Sequence, residues 1–220
     1  MTAVEKLAEE RDELKNARIE RILLSAFSLF SHSGFDTIAM TDIAKAAEIG
    51  VASLYRYFET KDEIAIRTAI WAWESQKEVI LPLLNDSGYY NKNGFEQLSE
   101  IFDLFFKLYQ NEADFFRYIY FFDAYVVCQK ISSKRLKNYQ KVIESVEEII
   151  EGAIIKGLKD GSISKKFKGK EKELYYSLMH TIFSATQKLS LTGKMLQMDE
   201  MNDDLEQLKL LGQILLVGIK

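Results

Sequence analysis

One proline, Pro82, stands in 220 residues, and most of the glycines fall at a few breaks: Gly34, Gly50, Gly88 and Gly94, Gly157 and Gly161, and Gly169. Between those breaks the apolar residues recur at spacings of three and four. Leu23, Ala26, Phe27 and Phe30 share one face. Val142, Val146, Ile149, Ile150, Ala153 and Ile154 form a second stripe, and Leu205, Leu208, Leu211 and Leu215 a third. That is the period of amphipathic helices, and no segment shows the sustained alternation of a half-buried strand. The fold class is all-α, with helices near 16–33, 41–48, 52–58, 61–81, 95–110, 112–130, 133–160, 170–195 and 202–219.

Local chemistry sharpens some boundaries. Thr60-Lys61-Asp62-Glu63 reads as a capping box that starts the fourth helix directly after Phe58. Pro82 disfavours α geometry at Leu81, so that helix should end or kink there, followed by a loop over 85–94. The first 15 residues allow either an extension of the first helix or disorder.

Composition excludes several classes. A single cysteine, Cys128, rules out an internal disulfide framework, and its place after an apolar run predicts a packed thiol. The charged N-terminus has no signal-peptide core, and no stretch approaches the roughly 20 apolar residues of a membrane span. A cytoplasmic protein without membrane contact is expected. Neither His32 nor His180 has a cysteine or carboxylate at metal-ligand spacing, and no P-loop, dinucleotide fingerprint or nucleophile motif occurs. No metal, no cofactor and no enzymatic activity are expected.

The segments 41–48 and 52–58, joined by a tight turn, have helix-turn-helix dimensions. Ile43, Ala44, Ala47, Val51 or Ile49, Leu54 and Phe58 should face inward. Ala52, Ser53, Tyr55, Arg56 and Tyr57 then remain outward. Hydroxyls donate to phosphates, arginine reaches guanine edges, and a small Ala52 permits approach to a thymine methyl. Lys61 follows at the next helix start, beside amides that favour anions.

The stretch ILLSAFSLFSHSGFDTIAMTDIAKAAEIGVASLYRYFETKDEI resembles the N-terminal domain of the TetR/AcrR family of transcriptional regulators. Phe30, Gly34-Phe35, Asp42-Ile43-Ala44, and Leu54-Tyr55 followed by Tyr57-Phe58 and Lys61 carry the match. The resemblance implies an N-terminal three-helix bundle over residues 1–60, matched from 15 onward, and a larger ligand-binding and dimerisation domain over 61–220. It also implies DNA contact by Thr41, Ser53, Tyr55, Tyr57 and Lys61, with Arg56 as base reader. Two departures stand out: the family's common Gly-Val-Ser turn is here Glu48-Ile49-Gly50, and Ala39 stands where a threonine or serine is common.

Net charge is −4, and residues 14–61 carry six basic against five acidic side chains, so hydrogen bonds must supply much of any DNA affinity. Between 102 and 125, eleven of 24 residues are aromatic, against 14 Phe, 11 Tyr and 2 Trp in the whole chain. Such a segment predicts a buried helix in the larger domain and a pocket for an apolar or aromatic small-molecule effector. Trp71, Phe105, Tyr109, Phe116, Tyr120 and Tyr125 are the expected lining, with Asp123 a cation selector if it faces the cavity.

The last two helices, near 170–195 and 202–219, carry more apolar surface than one neighbour covers. Together with the resemblance this implies a homodimer through a four-helix bundle, bound to a near-palindromic double-stranded operator. The sequence therefore reads as a ligand-responsive homodimeric repressor. The alternative is a helical small-molecule-binding protein whose helix-turn-helix no longer binds a specific operator, which near-neutral charge and Ala39 support.

Overall fold

The computed structural model describes residues 3–86, 88–192 and 203–220, and among these there are nine α-helices and no strand. They are α1 (Ala3–Ser33), α2 (Met40–Ala46), α3 (Val51–Tyr57), α4 (Lys61–Asp86), α5 (Gly94–Asn111), α6 (Ala113–Cys128), α7 (Lys137–Asp160), α8 (Glu171–Thr192) and α9 (Asp204–Ile219). The all-α fold class is as the periodicity required. The expected helix over 170–195 and the one over 202–219 extend partly outside the described residues. None of the described helices is long and apolar enough to cross a membrane.

The chain divides into two compact units. The first holds residues through Ala72 together with Tyr118–Tyr139, and the second holds the described residues of Trp73–Arg117 and Gln140–Lys220. The first unit thus extends past residue 60 to take in the start of α4 and the C-terminal part of α6.

In the first unit α1 packs on α2 and α2 on α3. Ile22, Ala26, Phe30, Ile43, Ala47, Leu54 and Phe58 are fully buried there. Phe35 stacks on Phe30 at 4.1 Å and on Tyr125 at 4.6 Å between ring centroids. Tyr118 is fully buried and donates its hydroxyl to the Ala65 carbonyl at 2.7 Å. Five of the eleven aromatics of that segment therefore belong to the helix-turn-helix unit rather than to the larger one. An all-round apolar helix carries no facing preference in its sequence, so only tertiary packing decides which core receives it.

In the second unit, α5 opens on a full capping box. The Glu96 amide donates to Asn93 Oδ1 at 2.9 Å, and the Asn93 amide to Glu96 Oε2 at 3.1 Å. The next two amides are also satisfied, Gly94 by Asp160 Oδ2 at 2.9 Å and Phe95 by Ser162 Oγ at 3.0 Å. A Cβ on Gly94 would lie 1.9 Å from the Gly157 nitrogen, so the start of α5 crosses α7 at backbone contact. Leu98, Phe102, Ile154, Leu178, Ile182 and Leu208 join α5, α7, α8 and α9 in one core.

Three expectations change. Helix α4 does not end at Leu81 but runs through Pro82 to Asp86. Pro82 and Glu78 both lie exposed, so water can serve the Glu78 carbonyl that Pro82 cannot. The fourth-helix cap is shifted: Thr60 Oγ1 accepts from the Glu63 amide at 3.2 Å, yet the Glu63 carboxylate reaches the Glu59 amide at 2.9 Å instead of that of Thr60. Cys128 is exposed rather than packed, because α6 ends there beside an equally exposed Val127. The N-terminal residues from Ala3 onward extend α1.

Candidate nucleic-acid interface and effector cavity

The turn between α2 and α3 sets the interface. The Ile49 amide returns to the Ala44 carbonyl at 3.0 Å and the Glu48 amide to that of Lys45 at 3.1 Å, the paired bonds of a Schellman motif. This geometry needs a left-handed residue after the helix, and Glu48 supplies it with φ of 53°. Ala39, the N-cap of α2, makes no side-chain cap, although its amide donates to Asp42 Oδ2 at 2.8 Å. Val51 is exposed and Ile49 half-buried, so Ile49 turns inward more than Val51 does.

Leu54 anchors α3 in the core and leaves Ala52, Tyr55 and Arg56 exposed, with Thr41 exposed on α2. Ser53 and Tyr57 are half-buried at the edge of the same face. Arg56 Nη2 donates to Ser53 Oγ at 2.9 Å, which lays the guanidinium along the helix surface. Arg18 Nη1 of α1 donates to the Tyr57 hydroxyl at 3.4 Å. Lys61 is the exception: half-buried, it donates to the Phe35 carbonyl and lies 5.9 Å from the Tyr125 ring centroid. Burial lowers its pKa against the pull of Asp36, Asp62 and Asp42. Its ammonium is thus already bonded within the protein while the side chain stays partly exposed.

Sequence reasoning missed the partner that ties α4 to α6. The Tyr125 hydroxyl donates to Asp62 Oδ1 at 2.6 Å, and Arg135 Nη1 to Asp62 Oδ2 at 2.6 Å. Nothing in the spacing of residues 62, 125 and 135 signals this cluster.

The second unit contains a cavity of about 90 Å³ with an almost wholly apolar lining that includes Trp73, Leu84, Phe105, Phe115, Ile150 and Phe183. It is smaller than the roughly 150 Å³ apolar cavity known to admit benzene. Of the six expected lining residues only Phe105 is there. Phe116 is buried against the Phe105 and Phe183 rings. Tyr109 turns to Asp204, 3.4 Å away, and burial, then that carboxylate, pushes its hydroxyl up to about 12. Trp71 packs edge-on against Phe27, Tyr125 holds Asp62, and Tyr120 and Asp123 are exposed. Trp73, which is not among the six expected residues, lines this cavity, and its buried indole nitrogen has no hydrogen-bond partner among the described residues. Among the described residues no His, Cys, Asp or Glu side chains group as a metal site would require.

A three-helix unit whose third helix presents hydroxyls and an arginine on one exposed face is a helix-turn-helix domain. A sequence profile for bacterial regulatory proteins of the tetR family matches residues 22–68, the part of the chain that holds this domain. It is 33% identical over 86 residues to the biofilm operon icaADBC HTH-type negative transcriptional regulator IcaR of Staphylococcus aureus. That match spans 39% of this chain and 46% of IcaR, less than half of either.

Solved structures share the fold over most of the chain. A TetR transcription regulator from Haloarcula marismortui superposes with a TM-score of 0.68 at 15% identity, over 93% of this chain and 98% of its own. The regulator FadR from Bacillus subtilis, in complex with stearoyl-CoA, gives 0.66 at 17% identity, over 91% and 99%. FadR from Thermus thermophilus, in complex with lauroyl-CoA, gives 0.55 at 18%, over 90% and 93%.

Proposed function

We propose that the chain is a homodimeric transcriptional repressor that binds a near-palindromic operator through α3 and leaves it when an apolar small molecule enters the second unit. The observation that carries this reading is the exposed face of α3, where Tyr55 and Arg56 stand free of the core while Leu54 and Phe58 are fully buried. In such units the second helix enters the major groove and its outward side chains meet base edges. Repression is the role named for IcaR.

The effector part rests on the apolar cavity and on two FadR structures that hold acyl-CoA. At about 90 Å³ the cavity is a seed for a chain-like ligand, which must part its walls to enter. Helix α4 carries both Lys61 and the cavity residues Trp73 to Leu84, so a displaced wall acts on the helix that begins at the DNA-binding unit. By linkage, effector and operator weaken each other by the same factor, typically ~1–3 kcal/mol. The dimer reading is supported by Leu210, Ile214 and Val217, all strongly exposed on α9 beside an apolar depression shared with α8.

Selection of binding sites from random duplex DNA tests the reading. Enrichment of a near-palindrome is the expected result. A folded dimer that enriches no sequence would leave the chain as a helical small-molecule-binding protein.

A further inference from the structure

The geometry points to a second DNA contact outside the helix-turn-helix: the N-terminal extension of α1 lies along the sugar-phosphate backbone of the same duplex. This inference rests on the operator-binding reading and adds a surface to it.

Residues 5–18 of α1 are all exposed, and the helix enters the core only from Ile22. At 3.6 residues per turn, Arg11, Lys15 and Arg18 stand in one row that runs on into Ile22. Glu5, Glu9, Glu13 and Glu20 stand on the opposite side. Lys6 falls among these glutamates, and Glu10 and Asp12 flank the basic row, each about 100° from Arg11 around the helix. Glu5, Glu9 and Glu13 repeat at intervals of four, as do Arg11 and Lys15, and like charges at that spacing destabilise an isolated helix. A polyanion along the basic row relieves the Arg11–Lys15 pair, one of these three like-charge pairs.

The basic row also has a definite place. Arg11, Lys15 and Arg18 line a concavity of about 590 Å³ together with Ala8, Asp12, Leu14 and Tyr57. Tyr57 is the last residue of α3, and Arg18 donates to its hydroxyl, so the groove continues the face that carries Tyr55 and Arg56. Asp12 is the one acidic side chain among these seven residues. From Arg11 to Arg18 the row covers about 10 Å of helix axis, or about three steps of 3.4 Å along one DNA strand. Outside these three cations the unit carries ten basic and thirteen acidic side chains, so the row is the local source of the salt-sensitive share of binding.

The test compares the full-length chain with an Arg11→Gln, Lys15→Gln variant, which keeps good helix formers at two exposed positions. Affinity is measured across a salt series on the selected operator and on an unrelated duplex. The slope of log affinity against log salt should become shallower by about 0.9 for each phosphate that the variant no longer neutralises, and both duplexes should weaken by the same factor. A Glu9→Gln, Glu13→Gln variant on the opposite face should keep the slope of the unaltered protein. An unchanged slope in the Arg11, Lys15 variant overturns the inference. So does an equal and opposite change in the Glu9, Glu13 variant, which would mark a long-range charge effect. Should the unaltered protein bind no duplex at all, this inference and the operator reading fall together; should it bind with an unchanged variant slope, only this inference falls.

Discussion

The Tyr125 hydroxyl donates to the Asp62 carboxylate at 2.6 Å, and through it the start of α4 is fastened to the C-terminal part of α6. Burial pushes the Asp62 carboxyl up, but the Tyr125 and Arg135 donors, with the charges of Arg135 and Lys61, outweigh it and hold its pKa below the usual aspartate value. A carboxyl depressed on folding stabilises the native state above its unfolded pKa, about 3.9, and loses that stability as pH falls through its folded value. Asp62→Asn should cost on the order of 1–2 kcal/mol at pH 7, as expected for hydrogen bonds to a charged group in a partly solvated site. Urea denaturation of both proteins at several pH values checks this. The gap between them should narrow below about pH 4.

Glu48 occupies a left-handed conformation that glycine adopts without strain. Its amide and that of Ile49 both complete the Schellman motif, so the backbone there cannot relax without breaking α2's last hydrogen bonds. Glu48→Gly should therefore stabilise the first unit by roughly 0.5–1 kcal/mol, the left-handed penalty less the extra unfolded-state entropy of glycine. A rise in the urea midpoint with an unchanged m-value is the expected reading.

Gly94 has the opposite constraint. A methyl group there would sit 1.9 Å from a backbone nitrogen of α7, which cannot swing aside as a side chain would. Gly94→Ala should cost about 3 kcal/mol or more, since α5 must lift from α7 and break its amide bonds to Asp160 and Ser162. Thermal melting of the variant measures the loss.

The helices were legible because their punctuation is local. Thr60 before Lys61 and the single Pro82 act within a turn of themselves, although Pro82 ended nothing because its face is solvated. The helix-turn-helix was equally legible, since Leu54 and Phe58 fix which side of α3 is left outside. The cavity was not. Trp71 and Trp73 are two residues apart and point about 200° apart on a helix, so choosing between them requires knowing which side of α4 is turned toward the cavity. Tyr118 and Tyr125 lie in the same apolar aromatic run as Phe115 and Phe116, yet they pack in the other unit.

Arg56 rests on Ser53 Oγ at 2.9 Å, a contact that orients the guanidinium along the exposed face of α3. Under the operator reading, Arg56→Ala should cost about 1–3 kcal/mol of operator affinity and relax preference at one base position per half-site. Ser53→Ala should weaken binding less, because it removes one hydroxyl and one restraint but no base contact. Binding measurements on operators substituted at single positions distinguish the two variants.

The two tryptophans provide a direct probe of the cavity. Trp73 lines it, 4.9 Å from Phe115 and 5.9 Å from Phe183 between ring centroids, whereas Trp71 belongs to the first unit and packs on Phe27. An apolar ligand that parts the cavity walls must disturb the Trp73 contacts, and one with a hydrogen-bond acceptor gains the indole nitrogen that has no partner now. Lauroyl-CoA is a suitable first ligand. It should change the fluorescence of a Trp71→Phe variant, in which Trp73 is the only indole, and leave that of a Trp73→Phe variant unchanged. A response carried by Trp71 alone would place the effector outside this cavity, and the proposed lining would have to be abandoned.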